Sequence, residues 1–441
     1  MTLVTDSPVH SSSSEDFASF LDTHLTSTAS DSSANEDSDG EEDLESKRVK
    51  RHKVEVLDIP ENTHEPTTGA GTSKIEDICA HPGTFGNMCI LCGQRIDEDS
   101  SVSLGYIHKG LRLANEEIVR LRNADTKNLL SRKRLYLILD LDHTLLNSTL
   151  LFHMNSEEEY LKSRADSLQD IENGNLFMLE HMRMMTKLRP YVRQFLKEAS
   201  QLFEMYIYTM GDRPYAREMA KLLDPRNEYF NAKVISRDDG TQKHQKGLDV
   251  VLGQESAVLI LDDTENAWIK HKDNVILMER YHFFASSCQQ FGFSCKSLSE
   301  LKSDESETDG ALAAVLRVLK RAHSLFFDEL GDSLPNRDVR EVLKTVRKEI
   351  LQGCKIVFSR VFPTSFPAES HQLWKMAEQL GATCLVELDD SVTHVVATDP
   401  KTEKSRWAVK EKKFLVHPQW IEATFYLWKR LPEDNYSVNQ L

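Results

Sequence analysis

No apolar run in these 441 residues approaches the ~18 needed to cross a bilayer, so no segment is expected to span a membrane. A secretory leader is lacking too, and seven cysteines, an odd number, do not make a disulfide framework. A reducing intracellular compartment is expected. Lys and Arg are missing from residues 1–45, which hold 12 of the 70 acidic residues. The formal net charge of -16 is therefore -12 from this stretch and -4 from the remainder, whose acidity says little about partners. No basic stripe is interleaved with aromatics, so direct nucleic-acid binding is not expected. No Walker glycine loop and no kinase signature occurs, so no nucleotide donor is indicated.

The length calls for two to three domains. Residues 1–75 open as a Ser-rich acidic tail too poor in apolar surface to offset its ordering entropy, and disorder is expected. Ser11 to Ser14 before Glu15-Asp16 suit an acid-directed kinase. Within the tail, 47–53 is abruptly basic, Lys47-Arg48-Val49-Lys50-Arg51-His52-Lys53. It reads as a nuclear import signal, a solvated charge run being the plainer alternative. Residues 76–100 carry Cys79-x-His81 and Cys89-x2-Cys92, a Cys3His set suited to structural Zn2+; a loop with small buried thiols has equal weight. Residues 106–125, with Leu111, Ile118 and Leu121 among Glu116, Glu117 and Arg120, predict an amphipathic helix.

From 128 to 300 the chain alternates buried-strand patterns with helical ones. Leu135 to Leu139 leads into Asp140-Leu141-Asp142-His143-Thr144. Residues 153–186 read as a flap or insertion. Then come Pro190 at the first turn of a helix, a strand ending at Thr209-Met210-Gly211, Lys246, and a strand from Ala257 to Leu261 ending in Asp262-Asp263-Thr264. Polar punctuation at strand C-termini describes an open parallel α/β sheet with its site at the carboxyl edge. Asp140, Asp142, Asp262 and Asp263 with one lysine suggest Mg2+ held by oxygen ligands and used on a phosphoryl group. Asp140 is placed to attack phosphorus and Asp142 to move the proton, while Lys246 and the Thr209 hydroxyl would neutralise the phosphoryl oxygens. Any one of these aspartates alone would more readily be a helix cap. Two pairs at two buried strand ends are harder to explain that way.

Beyond Ser303 to Thr308, a polar linker, residues 301–345 predict helices that serve packing, with Leu312, Val315, Leu316, Leu319 and Phe326 at helical spacing. Residues 346–441 alternate again and predict a second, small α/β domain.

The runs LDLDHTLL, KLRPY, IYTMGDR, SRDD, QKGL and LDDT, over about residues 130–300, resemble the FCP-type phosphatases of the haloacid dehalogenase superfamily, in particular their plant-type branch. Gly381-Ala382, Thr393-His394-Val395-Val396 and Trp420 resemble a BRCT domain. The resemblance implies a haloacid-dehalogenase-like, Rossmann-like parallel sheet and a protein-serine/threonine phosphatase of the nucleus. Its substrate would be the phosphorylated C-terminal domain of RNA polymerase II. It implies Asp140 as nucleophile, Asp142 as acid/base, and a metal on Asp140, Asp262, Asp263 and the Asp142 backbone, with Mg2+ replaceable by Mn2+ or Co2+. Thr209, Lys246 and Arg237 match phosphate-binding positions. Thr264 stands where many relatives have arginine. Ser359 and Lys404 are candidates for a BRCT phosphate pocket, with general transcription factors or other phosphoproteins as partners. The alternative is a phosphopeptide-binding scaffold with little turnover; a small-molecule phosphatase is a third reading.

Overall fold

The computed structural model describes residues 79–96, 101–329, 333–363 and 367–438; the acidic tail and the basic segment 47–53 lie outside them. An antiparallel sheet comes first, made of β1 (Gly83–Phe85), β2 (Met88–Cys89), β3 (Ser101–Ser103) and β4 (Leu111–Ala114), in the order β2-β1-β4-β3. The helix expected over 106–125 is corrected here. Leu111 and Leu113 are buried while Arg112 and Ala114 are half-buried, an alternation of period two that belongs to a strand. The helix itself runs Asn115–Ser131, with Ile118 and Leu121 buried.

The chain continues through β5 (Leu135–Leu139), β6 (Leu146–Leu150), β7 (Leu176–Leu179), β8 (Met184–Leu188), β9 (Phe203–Tyr208), β10 (Val234–Ile235), β11 (Val258–Asp262) and β12 (Val275–Leu277). Five of these form an all-parallel sheet in the order β10-β9-β5-β11-β12. Every residue of β5 and β11 is buried, which their unbroken apolar runs require of strands covered on both faces.

β6, β7 and β8 form a separate antiparallel sheet in the order β6-β8-β7, so the 153–186 insertion has strands of its own. Its acidic run splits by environment. Glu157 forms an exposed ion pair with Lys296, whereas Glu158 is buried and accepts from the Ala285 N–H and the Ser299 hydroxyl. Pro190 does not open the following helix. Tyr191, at φ +70, precedes its first residue, and the helix is Val192–Ala199.

The helices Ala311–Ser324 and Val339–Glu349 bury Leu312, Val315, Leu316, Leu319, Val339, Val342, Leu343 and Val346 in the same apolar core as the parallel sheet. The second runs across the boundary expected at 345. A four-stranded parallel sheet follows, β13 (Lys355–Ser359), β14 (Thr383–Leu385), β15 (His394–Ala397) and β16 (Phe414–Val416), in the order β14-β13-β15-β16. Gly381 has a physical reason: at φ +92, a Cβ there would stand 1.9 Å from the Lys348 carbonyl oxygen. Trp420 is buried and stacks on the His394 ring, centroids 4.8 Å apart.

Candidate active site

β5 pairs with β9 on one side and β11 on the other, Leu139 lying opposite both Ile207 and Leu261. Residues at these three strand ends are therefore neighbours. Asp140 follows β5, Thr209 follows β9, and Asp262 ends β11. The Asp140 N–H donates to the Leu261 carbonyl at 3.0 Å, and the Thr209 N–H to that of Ile235 at 3.0 Å. Lys246 comes in from the segment between β10 and β11, its own N–H bonded to the Ala267 carbonyl at 2.8 Å.

The Lys246 ammonium lies between two carboxylates, 2.5 Å from Asp140 Oδ1 and 2.7 Å from Asp262 Oδ2, and all three groups are buried. Burial opposes its charge, but Asp140 and Asp262 outweigh that and raise its pKa. The Asp140 carboxyl is pushed well above its ordinary range by burial, against Lys246, while Asp262, Asp263 and Asp142 add repulsion. Asp262 is further held by the Trp268 indole N–H at 2.8 Å and the Thr264 N–H at 2.8 Å.

Asp142 faces a different set of donors. The Tyr215 hydroxyl donates to its Oδ1 at 2.5 Å and the Thr209 hydroxyl to its Oδ2 at 3.3 Å. The Thr209 Oγ1 in turn accepts from the Gly211 N–H at 3.0 Å. Burial raises the Asp142 carboxyl, while Tyr215, His143 and Thr209 hold the rise back. Tyr215, Trp268 and Arg280 are participants that the sequence did not single out. Arg280 reaches Asp263 Oδ2 at 2.5 Å and Thr264 Oγ1 at 3.1 Å, so a guanidinium stands at this carboxylate although position 264 is threonine. Only its apolar-to-acidic surroundings after β12 could have flagged it.

Side-chain oxygens of Asp140, Asp262 and Asp263 lie within 4.8 Å of one another. This is a crowded oxygen-only donor set whose mutual repulsion Lys246 does not fully cancel, and a hard divalent cation fits it. Arg237 is less engaged: its N–H bonds the Gly211 carbonyl at 2.9 Å, near the Thr209 loop, but its side chain is exposed. The BRCT candidates meet at the end of β13. The Ser359 hydroxyl, buried, shares a 2.7 Å hydrogen bond with that of Thr402. The Lys404 ammonium donates to the Val386 carbonyl at 2.7 Å and, at 3.4 Å, to that of Phe358. Cys79, His81, Cys89 and Cys92 form a second tight cluster in the N-terminal sheet.

The KLRPY run also acquires a use. Arg189 is 1% exposed; it donates to the Thr144 and Glu279 carbonyls at 3.0 and 3.1 Å and forms a two-pronged pair with Glu305 at 2.7 and 2.9 Å. Lys187 pairs with Asp304 at 2.9 Å. The segment expected as a polar linker is thereby tied to the loop that follows Asp142. Arg189→Ala is expected to cost about 3 kcal/mol, because it strands buried carbonyls and unpairs Glu305. Arg189→Lys should recover only part, lacking the planar fork. Denaturant unfolding of both variants checks this.

A family model described as NLI interacting factor-like phosphatase matches residues 135–303, and one for the BRCA1 C Terminus (BRCT) domain matches 346–425. RNA polymerase II C-terminal domain phosphatase-like 4 of Arabidopsis thaliana is 62% identical over 445 residues, covering 100% of this chain and 98% of the relative. RNA polymerase II C-terminal domain phosphatase-like 3 of the same plant is 42% identical over 331 residues, covering 73% of this chain and 26% of the relative. The solved structure of Fcp1, described as an essential RNA polymerase II CTD phosphatase, shares 27% identity at a TM-score of 0.55, over 72% of this chain and 100% of that one. By these likenesses the chain belongs to the RNA polymerase II C-terminal domain phosphatase-like family.

Proposed function

We propose that the chain is a Mg2+-dependent protein serine phosphatase that works in the nucleus on the phosphorylated C-terminal domain of RNA polymerase II, through an aspartyl-phosphate on Asp140. One observation carries the reading: a buried carboxylate at the end of the central strand, 2.5 Å from a lysine, with a second carboxyl two residues on held by Tyr215.

In the first half-reaction an Asp140 oxygen attacks phosphorus, the bond from phosphorus to the serine oxygen breaks, and Asp142 gives that oxygen its proton. The Tyr215 and Thr209 hydroxyls, at 2.5 and 3.3 Å, hold the Asp142 carboxyl in place for this transfer. In the second, Asp142, now a carboxylate, takes a proton from water as the water oxygen attacks phosphorus. The bond to Asp140 breaks and inorganic phosphate leaves. Lys246 and Thr209 offset charge on the phosphoryl oxygens. Arg237, exposed beside the Thr209 loop, would meet the phosphate from the solvent side. Held by Asp140, Asp262, Asp263 and the Asp142 backbone, Mg2+ would supply further positive charge against the phosphoryl group.

The BRCT domain would dock general transcription factors or other phosphoproteins. Phosphate reading by it has less support, since the Ser359 hydroxyl is taken up by Thr402 and the Lys404 ammonium by carbonyls. The test uses repeat peptides that each carry phosphate on one defined serine. Phosphate release is expected in Mg2+, with a loss of at least about 100-fold in EDTA and recovery on adding Mg2+, Mn2+ or Co2+. Peptide binding without phosphate release would establish the scaffold reading instead.

A further inference from the structure

Cys79, His81, Cys89 and Cys92 take no part in the phosphatase chemistry, yet the fold gathers them at one point. Cys79 and His81 precede β1, Cys89 ends β2, and Cys92 follows in a turn closed by Gly93 at φ +73. The Cys79 and Cys89 sulfurs are 3.8 Å apart, the Cys92 sulfur is 3.4 Å from His81 Nδ1, and all four donor atoms lie within 4.8 Å of one another. Two sulfurs each about 2.3 Å from one zinc ion at the tetrahedral angle are about 3.8 Å apart, and a sulfur and an imidazole nitrogen about 3.5 Å. The 3.8 Å separation is also far beyond the ~2.05 Å of a disulfide, and all four residues' thiols and ring are free to ligate. The Leu91 N–H donates to the Cys89 sulfur at 3.4 Å, the kind of bond that orients a metal-bound thiolate.

Beyond the pairing of β1 with β4 and the packing of Phe85 and Ile90 against the core, the segment has little to hold it. Of residues 79–96 only Gly83, Thr84 and Cys89 are buried, while Met88 and Leu91 are more than half exposed. So short a stretch with so few buried side chains gains from a further source of stability, which a metal would supply. The far side of the same sheet is well anchored. Leu104, Tyr106, Leu111 and Leu113 enter the core of the catalytic sheet. The Tyr106 hydroxyl donates to the Val250 carbonyl at 2.8 Å, and Arg213 bridges the Gly105 carbonyl at 2.8 Å and Asp239 at 2.5 Å. Asp239 and Val250 flank the stretch that carries Lys246.

We propose that Cys79, His81, Cys89 and Cys92 bind one structural Zn2+, and that the ion fixes the β1–β4 sheet as a brace against the loop bearing Lys246. The metal site stands independently of the substrate; its effect on turnover rests on the proposed function.

The test uses the full chain, purified without metal affinity and dialysed against excess Mg2+. About one equivalent of zinc per chain is expected by elemental analysis, and exchange with Co2+ should give thiolate-to-cobalt charge-transfer absorption. The Cys79→Ser/Cys92→Ser double variant should lose the zinc and the cobalt band, become sensitive to protease around residues 79–114, and turn over phosphopeptide about ten-fold or more slowly as Lys246 loses its support. Asp140→Asn should keep the zinc. A folded parent chain that takes up neither metal overturns the site, as does zinc retained by the double variant or lost from Asp140→Asn. Zinc lost with turnover unchanged overturns the brace. If no phosphopeptide is hydrolysed by the parent, the proposed function fails while the metal content still decides the site.

Discussion

Asp140→Asn should lower phosphopeptide turnover by about 10^4-fold or more, and yet melt no lower than the parent in EDTA. The loss follows from the attack itself, since an amide oxygen is a far poorer nucleophile than a carboxylate. The retained stability follows from the surroundings. Asp140 is buried at the end of β5 and repelled by Asp262, Asp263 and Asp142, so the native fold holds its charge at a cost. Asparagine is nearly the same shape and removes that cost, while Lys246 keeps Asp262 at 2.7 Å as a partner. Functional groups held against their preference in this way trade stability for activity. Full activity in the variant would refute Asp140 as nucleophile. A collapse of the melting temperature would make its carboxylate a structural group.

Lys246→Ala is expected to damage both properties. It removes the ammonium between Asp140 and Asp262 and leaves two buried carboxylates facing each other, a change that costs roughly 3–5 kcal/mol. It also removes the charge that, in the proposed mechanism, offsets the phosphoryl oxygens, worth about 10^2- to 10^3-fold in turnover. Part of the instability would come from packing, because the Lys246 ammonium also stands 5.9 Å from the centre of the Tyr208 ring and 5.8 Å from that of Trp268. Lys246→Met, which fills the space without the charge, separates the two contributions. The combination Asp140→Asn/Lys246→Met should melt above Lys246→Met alone, since one of the stranded carboxylates is gone, while remaining inactive. Equal melting temperatures for the two would show that the charges do not couple.

The acidic pairs were legible because a strand buried on both faces is apolar throughout, so Asp140-Leu141-Asp142 and Asp262-Asp263 stood out at its end. Turn residues are local as well, which is why Thr209-Met210-Gly211 could be read from the chain in order, whereas the Asp212 cap of the helix Arg213–Leu223 came from the structure. Leu111 to Ala114 went to the wrong class because four residues of period two are too few to separate from the helical spacing that follows them. Pairing with β1 and β3 decided it.

The sequence by itself determined which residues could do the chemistry, and that they lie at the carboxyl ends of parallel strands. Their assembly came from the tertiary structure, because strand order is set by packing: β9-β5-β11 makes neighbours of Thr209, Asp140 and Asp262. The different surroundings of the aspartates did too. Tyr215 reaches Asp142 from 73 residues away, and Glu305 meets Arg189 across 116. A hydrogen bond between residues so far apart leaves no periodic trace in the chain, since its partners are chosen by the surfaces that bury them and not by the residues beside them.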